Sequence, residues 1–237
     1  MSKKVIKNYL SCFVELIYPK LCSCCENKLY EFEELICSNC RMDLPYTNDK
    51  YSDRTKLYNR FNTIYPCSFV ISLFFLIKKG KIENLIHQLK YKSQYEIGVL
   101  LGRILGSELL KNKEFNPSDY QWIIPVPLHK KRLYKRGYNQ SEAIAKGLSK
   151  VINVPYDDTI CMRVKNTKTQ TQKNRINRIL NTEYIFKLSK AEEINTNKSL
   201  IIIDDVITTG STIDSLCDCI YKEKKIKSFG ILSIARK

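Results

Sequence analysis

The stretch that decides the fold is Ile201-Ile-Ile-Asp-Asp-Val-Ile-Thr-Thr-Gly-Ser-Thr212, an apolar run followed by two carboxylates and a hydroxyl-rich turn. Residues 200–203 are apolar and largely β-branched, which predicts a parallel strand buried on both faces. Ligands of such sheets bind outside the carboxyl ends of the strands, where we expect Asp204 and Asp205 to lie. Apolar residues then recur at helical spacing from Ile213, so a helix is predicted to begin at the turn.

The turn at residues 208–212 offers groups that suit a phosphate. Backbone N–H groups at a helix start bind anions, and hydroxyls surround the glycine in Thr208, Thr209, Gly210, Ser211 and Thr212. The two carboxylates suit a ribose diol. The plainer alternative is a helix-capping turn, since Asp and Thr cap helices for local reasons. Both carboxylates at fixed spacing before the turn favour the phosphate site, and the sequence lacks the Gly-x-x-x-x-Gly-Lys-Ser/Thr loop.

Two cysteine pairs, Cys22-x2-Cys25 and Cys37-x2-Cys40, are separated by eleven residues. Paired knuckles of this kind predict a structural zinc site, because four thiolates complete a tetrahedral shell without an open position. Disulfides are the alternative, but no secretory signal is evident and the spacing favours metal. Cys24 lies inside the first knuckle and is an alternative ligand to Cys22 or Cys25. The remaining cysteines show no knuckle spacing and are expected to be small core residues.

The length of 237 residues accommodates one sizeable α/β domain and a small appendage. We place the boundary near Asn62: residues 1–61 form an N-terminal amphipathic helix, the zinc module and a polar linker, and residues 62–237 form the main domain. Residues 1–20 fail as a signal peptide. The longest apolar stretch, residues 69–77, is far below the roughly 20 residues that cross a bilayer. A cytoplasmic location is therefore expected.

The formal net charge of +16 predicts attraction to polyanions. A bias in codon usage is one explanation, since it scatters lysines over a solvated surface. The lysines and arginines are nevertheless clustered, which favours a role in binding an anion at a nearby site, with nucleic acid as a secondary ligand. One group comprises Lys130, Lys131, Arg132, Lys135 and Arg136, and the other comprises Arg163, Lys165, Lys168, Lys173, Arg175 and Arg178.

Further strands are predicted at residues 69–76, 122–126 and 228–235, and they alternate with helical patterns. This alternation indicates a mainly parallel sheet. Asn139 is expected to begin a helix, with Glu142 three residues on as in a capping box. Gly98, Gly102 and Gly106 recur every fourth residue on a predicted helix, and we expect them to mark a close contact between that helix and the sheet.

Five motifs in order resemble the ComF family, which joins a type I phosphoribosyltransferase domain to an N-terminal four-cysteine zinc module. Besides the knuckles and the 201–212 stretch, the resemblance rests on His-Gln-Leu-Lys-Tyr-Lys at 87–92, Ile-Pro-Val-Pro-Leu-His at 124–129 and Arg-Gly-Tyr-Asn-Gln-Ser at 136–141. It also includes Thr167-x2-Gln170 with Arg178-x2-Asn181 and Phe186. The match covers nearly the whole chain and implies a phosphoribosyltransferase-like parallel sheet flanked by helices.

The resemblance implies a site for 5-phosphoribosyl-1-diphosphate (PRPP). Asp204 and Asp205 would take the ribose hydroxyls and act as the catalytic carboxylates, and residues 208–212 would hold the 5-phosphate. The diphosphate would face a loop at residues 128–130 and a flexible closing segment at residues 132–140, together with a magnesium ion that bridges diphosphate and ribose. The implied diphosphate-binding residues are Leu128, His129, Lys130, Arg132, Arg136 and Lys90.

Two functions from different classes remain open on the sequence alone. The first is a magnesium-dependent transferase that moves phosphoribosyl from PRPP to an acceptor that no segment identifies. The second is a non-enzymatic role in natural transformation, in which the protein binds single-stranded DNA or proteins of the competence machinery. His129 is likewise open between an acid or base and a simple donor or structural loop residue.

Overall fold

The structure is a computed structural model that describes residues 19–51, 55–92, 94–165 and 185–237. Its strands are β1 Cys67–Phe75, β2 Tyr120–Pro125, β3 Cys161–Arg163, β4 Phe186–Leu188, β5 Ser199–Ile207 and β6 Phe229–Arg236. The central sheet consists of four parallel strands in the order β1-β6-β5-β2, and β3 and β4 form a separate antiparallel pair. The α/β architecture expected from the alternating patterns is confirmed.

Helices cover both faces of the sheet. They are α1 Ser38–Met42, α2 Lys56–Asn62, α3 Lys81–Tyr91, α4 Tyr95–Leu110, α5 Lys130–Arg136, α6 Gln140–Ile152 and α7 Ser211–Glu223. Short 3-10 turns occur at Pro117–Asp119 and Ala191–Glu193. One apolar cluster joins the sheet to α3, α4 and α6, and a second joins it to α2, α7 and the β3-β4 pair.

Strand β5 runs further than its apolar residues indicate. We expected the strand to end at Ile203, before the two aspartates, but it continues through both carboxylates to Ile207. The reason is that β6 keeps pairing with it, with Asp204 opposite Ser233 and Ile207 opposite Arg236. On its other side the last partner is Pro125 of β2, opposite Ile203. The carboxylates therefore lie on a strand that is paired on one side only.

The polar segment expected to be a linker contains helix α2. Thr55 caps this helix, since its hydroxyl accepts a hydrogen bond from the Tyr58 N–H at 3.1 Å. Tyr58 and Phe61 are buried in the second apolar cluster. Seven residues are too short for a periodic pattern to be visible, which explains why the sequence did not indicate the helix. The domain boundary near Asn62 stays a prediction.

The glycine stripe on α4 faces another helix, not the sheet as expected. A Cβ atom added to Gly102 would lie 2.0 Å from the Ile144 carbonyl oxygen of α6. In the reverse direction, a Cβ atom at Gly147 of α6 would lie 2.0 Å from the Val99 carbonyl oxygen. Each helix thus carries a glycine where the backbone of the other helix approaches.

Replacing Gly102 by alanine is expected to lower the free energy of unfolding by about 2–3 kcal/mol, because backbone atoms of α6 must shift to admit the methyl group. Urea unfolding measures this loss. The matched control is Ser107→Ala, at an exposed position of the same helix, which should stay within about 0.5 kcal/mol of the wild type. Equal stability of both variants would contradict the close approach.

Several sequence predictions fall outside the described residues. They are most of the N-terminal amphipathic helix, the Thr167, Gln170, Arg178 and Asn181 positions of the family resemblance, and Lys168, Lys173, Arg175 and Arg178 of the second basic group. Among the helices that are described, none combines the length and apolar character that crossing a membrane demands.

Candidate functional site

A crevice lies where the chain leaves β2 and β5 in opposite directions. Helix α6 follows β2 and packs into the first apolar cluster, whereas α7 follows β5 and packs into the second. When neighbouring parallel strands send their helices to opposite faces, a crevice opens at their carboxyl ends, and ligands bind there. Asp204, Asp205 and the 208–212 turn lie at this edge.

Asp204 is held by donors on two elements. Its Oδ1 atom accepts hydrogen bonds from the Ser141 hydroxyl of α6 at 3.1 Å and from the Asp205 N–H at 2.9 Å. Asn139, the N-cap of α6, donates from its side-chain amide to the Val126 carbonyl at 3.1 Å. The start of α6 is therefore tied to the end of β2, and it carries the serine that orients the carboxylate.

Asp205 forms an ion pair with Lys90 at the end of α3, with 2.6 Å between Oδ2 and Nζ. The side chains are only 14% and 22% exposed, so solvent screens this pair less than an ordinary surface pair. Tyr138 anchors the end of α3, because its hydroxyl donates to the Leu89 carbonyl. The contact of Lys90 with a diphosphate stays a prediction.

The pKa of Asp204 is raised to about 7. Burial is the largest cause and the nearby charge of Asp205 adds to it, whereas the Asp205 N–H, Lys90 and the Ser141 hydroxyl act in the opposite direction. Two close carboxylates in a shielded site resist simultaneous ionisation.

This pKa predicts that Asp204→Asn stabilises the folded protein at alkaline pH. Between about pH 4 and pH 7 the folded state keeps the Asp204 proton, whereas the unfolded chain has released it. The contribution of Asp204 to stability is therefore present at low pH and is lost as pH rises through about 7. We expect the variant to exceed the wild type by about 1–2 kcal/mol at pH 8, and the gap to shrink toward pH 5.

Urea unfolding at both pH values measures the effect. The control is Asp119→Asn, which removes a half-exposed carboxylate paired with Lys227. A gap between wild type and Asp204→Asn that does not change with pH would contradict the raised pKa.

The 208–212 turn is shaped by Gly210, which adopts φ of 72° as the N-cap of α7. It gives α7 no side-chain cap. The Thr209 and Ser211 hydroxyls lie 2.9 Å apart, and both Thr208 and Thr209 are exposed. A phosphate at this position would therefore meet hydroxyls and the N–H groups of a thirteen-residue helix.

The residues expected to face the diphosphate lie beyond β2, on a loop and a helix. Leu128 and His129 are half-buried, and the His129 Nδ1 atom accepts a hydrogen bond from the Lys131 N–H at 3.2 Å as the N-cap of α5. The segment expected to close over the site, residues 132–140, is thus helical through Arg136. Gly137, with φ of 81°, ends α5 before α6 begins. Glu142 accepts a hydrogen bond from the Tyr95 hydroxyl, a contact between helices that the expected capping box did not include.

Three cationic side chains of the predicted set are carried by α5. Lys130 is exposed, whereas Arg132 and Arg136 are half-buried. Arg136 donates to the Gln140 side chain at 2.6 Å, and its guanidinium lies 5.6 Å from the centre of the Tyr91 ring. The structure brings Lys90, Asp204 and Asp205 together directly. It places α5 beyond the end of the neighbouring strand β2.

Sequence reasoning missed two residues near the carboxylates. Ser141 lies in a motif that the family resemblance includes, but its contact with Asp204 follows only from the fold. Arg163 of β3 interacts electrostatically with Arg132 and Asp204. Burial lowers the pKa of Arg163, the charge of Arg132 lowers it further, and the charge of Asp204 acts in the opposite direction. The basic composition indicated Arg163 only as one member of a cluster.

The four predicted zinc ligands come together in the structure. The sulfur atoms of Cys22, Cys25, Cys37 and Cys40 all lie within 4.8 Å of one another. Backbone N–H groups of Cys24 and Cys37 donate to the Cys22 sulfur at 3.4 and 3.3 Å. Burial raises the pKa of Cys22, but these N–H groups outweigh it, and the pKa is lowered to about 6. This donor set fits zinc, which prefers thiolates in tetrahedral geometry.

The four-sulfur cluster excludes Cys24, and the described cysteines are all free thiols. The zinc module is attached to the main domain, since the Gln88 side chain of α3 donates to the Ser23 carbonyl at 2.6 Å. Ile36 and Leu44 of the module belong to the first apolar cluster. The other described cysteines are buried, as expected for small core residues: Cys67, Cys161, Cys217 and Cys219.

Comparison with known proteins identifies a family match and several similar chains. Residues 139–237 match the family described as "Phosphoribosyl transferase domain". Competence protein F of Haemophilus influenzae is 28% identical over 85% of this chain and 84% of its own length. DNA utilization protein YhgH of Escherichia coli (strain K12) is 31% identical over 60% of this chain and 61% of its own. Competence protein ComFC of Bacillus subtilis is 32% identical over 51% and 46%.

Two solved structures align with part of the chain. The allosteric regulatory enzyme of purine biosynthesis aligns with a TM-score of 0.43 and 14% identity, over 62% of this chain and 30% of that chain. UMP synthase of Leishmania donovani aligns with a TM-score of 0.30 and 16% identity, over 66% and 26%. On the family match and the curated relatives, the chain is a homologue of competence protein F, ComFC and YhgH that carries a phosphoribosyl transferase domain, which confirms the resemblance to the ComF family.

Proposed function

We propose that this protein binds PRPP and transfers its phosphoribosyl group to an acceptor in a magnesium-dependent reaction. One observation carries the proposal: within the matched phosphoribosyl transferase region, strand β5 presents two carboxylates and continues directly into the 208–212 turn at the start of α7. A phosphorylated ribose has a diol and a 5-phosphate at separate ends. The site offers two carboxylates for the diol at one end and the 208–212 turn for the phosphate at the other.

The chemistry follows from charge. When the diphosphate leaves carbon-1, the ribose ring gains positive character and the departing oxygens gain negative character. Asp204 and Asp205 hold the hydroxyls and stabilise the ring, while Arg132 and Arg136 face the departing oxygens, which planar guanidinium groups recognise well. The bond from carbon-1 to the diphosphate oxygen breaks, and a bond from carbon-1 to the acceptor forms. The proposal needs no covalent bond to the protein.

Magnesium would bind through oxygen atoms of the ligand and of Asp204 or Asp205. The donor set fits this ion, because Mg²⁺ takes one or two carboxylates and keeps phosphate and water oxygens as its other ligands. When bound, the ion neutralises the negative charge that develops on the departing diphosphate. Lys90 already balances the charge of Asp205 at 2.6 Å, so it would share that carboxylate with the ligand or release it.

Zinc has a separate, structural part in the proposal. All four thiolates are needed for its shell, and the cluster belongs to the N-terminal module, not to the crevice at β2 and β5. We place the protein in the cytoplasm, because the described cysteines form no disulfides and thiols persist in a reducing compartment.

Calorimetric titration of the zinc-loaded protein with PRPP, with and without magnesium, tests the proposal. Binding that requires magnesium is the expected result and would justify a screen of acceptors. Ribose 5-phosphate and inorganic diphosphate serve as separate probes of the two ends of the site. If PRPP does not bind to the zinc-loaded, folded protein in the presence of magnesium, the transferase proposal is wrong.

Single-stranded DNA is the second candidate ligand, and two exposed aromatic rings favour it. Tyr134 of α5 is 94% exposed and Tyr91 at the end of α3 is 62% exposed, and both lie among cationic side chains. Bases stack on exposed tyrosines while lysines and arginines contact phosphates. This function predicts an affinity that falls steeply with salt and that decreases in Tyr91→Ala, Tyr134→Ala. An affinity that is independent of salt would exclude it.

A further inference from the structure

Arg60 of α2 lies against the turn proposed to bind phosphate, although 150 positions separate it from Gly210. Its Nη2 atom forms an ion pair with Asp214 in the first turn of α7. A Cβ atom added to Gly210 would lie 2.1 Å from Arg60 Nη1 and 2.8 Å from Phe61 Cζ. The Arg60 guanidinium therefore covers Gly210 and is bound to α7, the helix that follows it.

The Arg60 guanidinium supports the 208–212 turn from the side that faces the protein interior. Its Nη1 atom exposes less than 1 Å² of surface and has no hydrogen-bond partner among the described residues, so a ligand in the crevice does not reach this atom. The group also lies over the Phe61 ring, 4.9 Å from the ring centre. A second contact holds the same turn of α7, because the Tyr65 hydroxyl donates to the Asp214 carbonyl at 3.3 Å.

We propose that Arg60 is a positioning residue that keeps the 208–212 turn in its anion-binding shape before any ligand arrives. The inference rests on the proposed function for the identity of the anion, but the support of the turn stands apart from it. Gly210 with φ of 72° has no side chain to fix it, and glycine has the most conformational freedom to lose on folding. A planar cation that is bound to Asp214 and packed over Gly210 removes part of that freedom.

Hydrogen exchange in the ligand-free protein tests the support directly. In Arg60→Met, peptides that contain residues 208–216 are expected to lose at least about 10-fold of their protection, while peptides from β1 and the zinc module keep theirs. The matched control is Arg103→Met, which removes an arginine of α4 paired with Glu34. Unchanged exchange at 208–216 in folded Arg60→Met, or an equal change in Arg103→Met, would overturn the proposal.

A double-mutant cycle provides a second test, with the melting temperature as its readout. Gly210→Ala is expected to lower the melting temperature less in an Arg60→Ala background than in the wild type, because the guanidinium no longer occupies the space. Gly137 is the control glycine: its φ of 81° imposes similar strain on alanine, but no atom lies within 4 Å of the added Cβ. Gly137→Ala should have the same effect in both backgrounds. Additive effects of Gly210→Ala and Arg60→Ala would show that the guanidinium does not cover Gly210.

Titration with PRPP separates this inference from the transferase proposal. We expect Arg60→Met to bind PRPP at least about 10-fold more weakly than the wild type or Arg103→Met, with unchanged zinc content, because disordered donors must be ordered on binding. If the wild type binds no PRPP but the turn loosens in Arg60→Met, the transferase proposal fails and the positioning role stands. If PRPP binds wild type and variant equally and exchange is unchanged, the positioning role fails.

Discussion

Replacing both Asp204 and Asp205 by asparagine is expected to weaken PRPP binding by at least about 100-fold, because each carboxylate loses a charge-assisted hydrogen bond of about 1.5–3 kcal/mol to a ribose hydroxyl. The loss should be larger with magnesium present, since asparagine also removes the anionic ligands of the ion. Calorimetric titration of the double variant beside the wild type measures the effect.

The control for this variant is Asp43→Asn with Asp119→Asn, which makes the same change of net charge. Both carboxylates belong to exposed ion pairs, with Lys81 and with Lys227. The control should bind PRPP as the wild type does. Single-stranded DNA binding, if present, should persist in the Asp204, Asp205 variant. Parallel loss of DNA and PRPP binding in a folded variant would show that one site serves both ligands.

Replacing Cys37 and Cys40 by serine is expected to abolish zinc binding and to unfold the N-terminal module. Metal analysis should fall from about one zinc per chain to nearly none, since two thiolates cannot complete the shell. Residues 20–44 should then become sensitive to proteolysis. Because Ile36 and Leu44 pack in the first apolar cluster, we also expect a melting temperature lower by roughly 10 °C, which corresponds to a few kcal/mol.

The control for the zinc site is Cys24→Ser. This thiol lies beside the ligands but outside the four-sulfur cluster, so the variant should retain one zinc. Burial and the proximity of Cys22 raise the pKa of the Cys24 thiol to about 12, as expected of a neutral group beside thiolates. Stoichiometric zinc in the Cys37, Cys40 variant, or its loss in Cys24→Ser, would contradict the proposed ligand set.

Features that depend on neighbouring residues could be predicted from the sequence. The apolar run before Asp204 indicated a buried strand, and the spacing of Cys22, Cys25, Cys37 and Cys40 indicated a common metal site. Both inferences use local geometry, since a strand carries its residues in order and a knuckle closes within four residues. The resemblance to the ComF family added the expected roles of residues in the crevice.

Features that depend on distant residues could not be predicted. Arg60 and Asp214 are 154 positions apart, and neither has an unusual local pattern. The extension of β5 to Ile207 depends on β6, which pairs with the carboxylate positions after β2 has ended. The glycine stripe on α4 correctly indicated a close approach. Spacing alone gives no information on which element approaches, so the assignment to the sheet was wrong.

The position of β6 has a consequence for biosynthesis. This strand lies between β1 and β5, and in the described part of the chain it is their only shared neighbour in the sheet. A ribosome that has not yet reached residue 229 therefore carries a nascent chain in which β1 and β5 present open edges, and such edges invite pairing with other chains. The protein is thus most exposed to aggregation after β5 and before β6 has left the ribosome, and a chaperone that shields strand edges would act then.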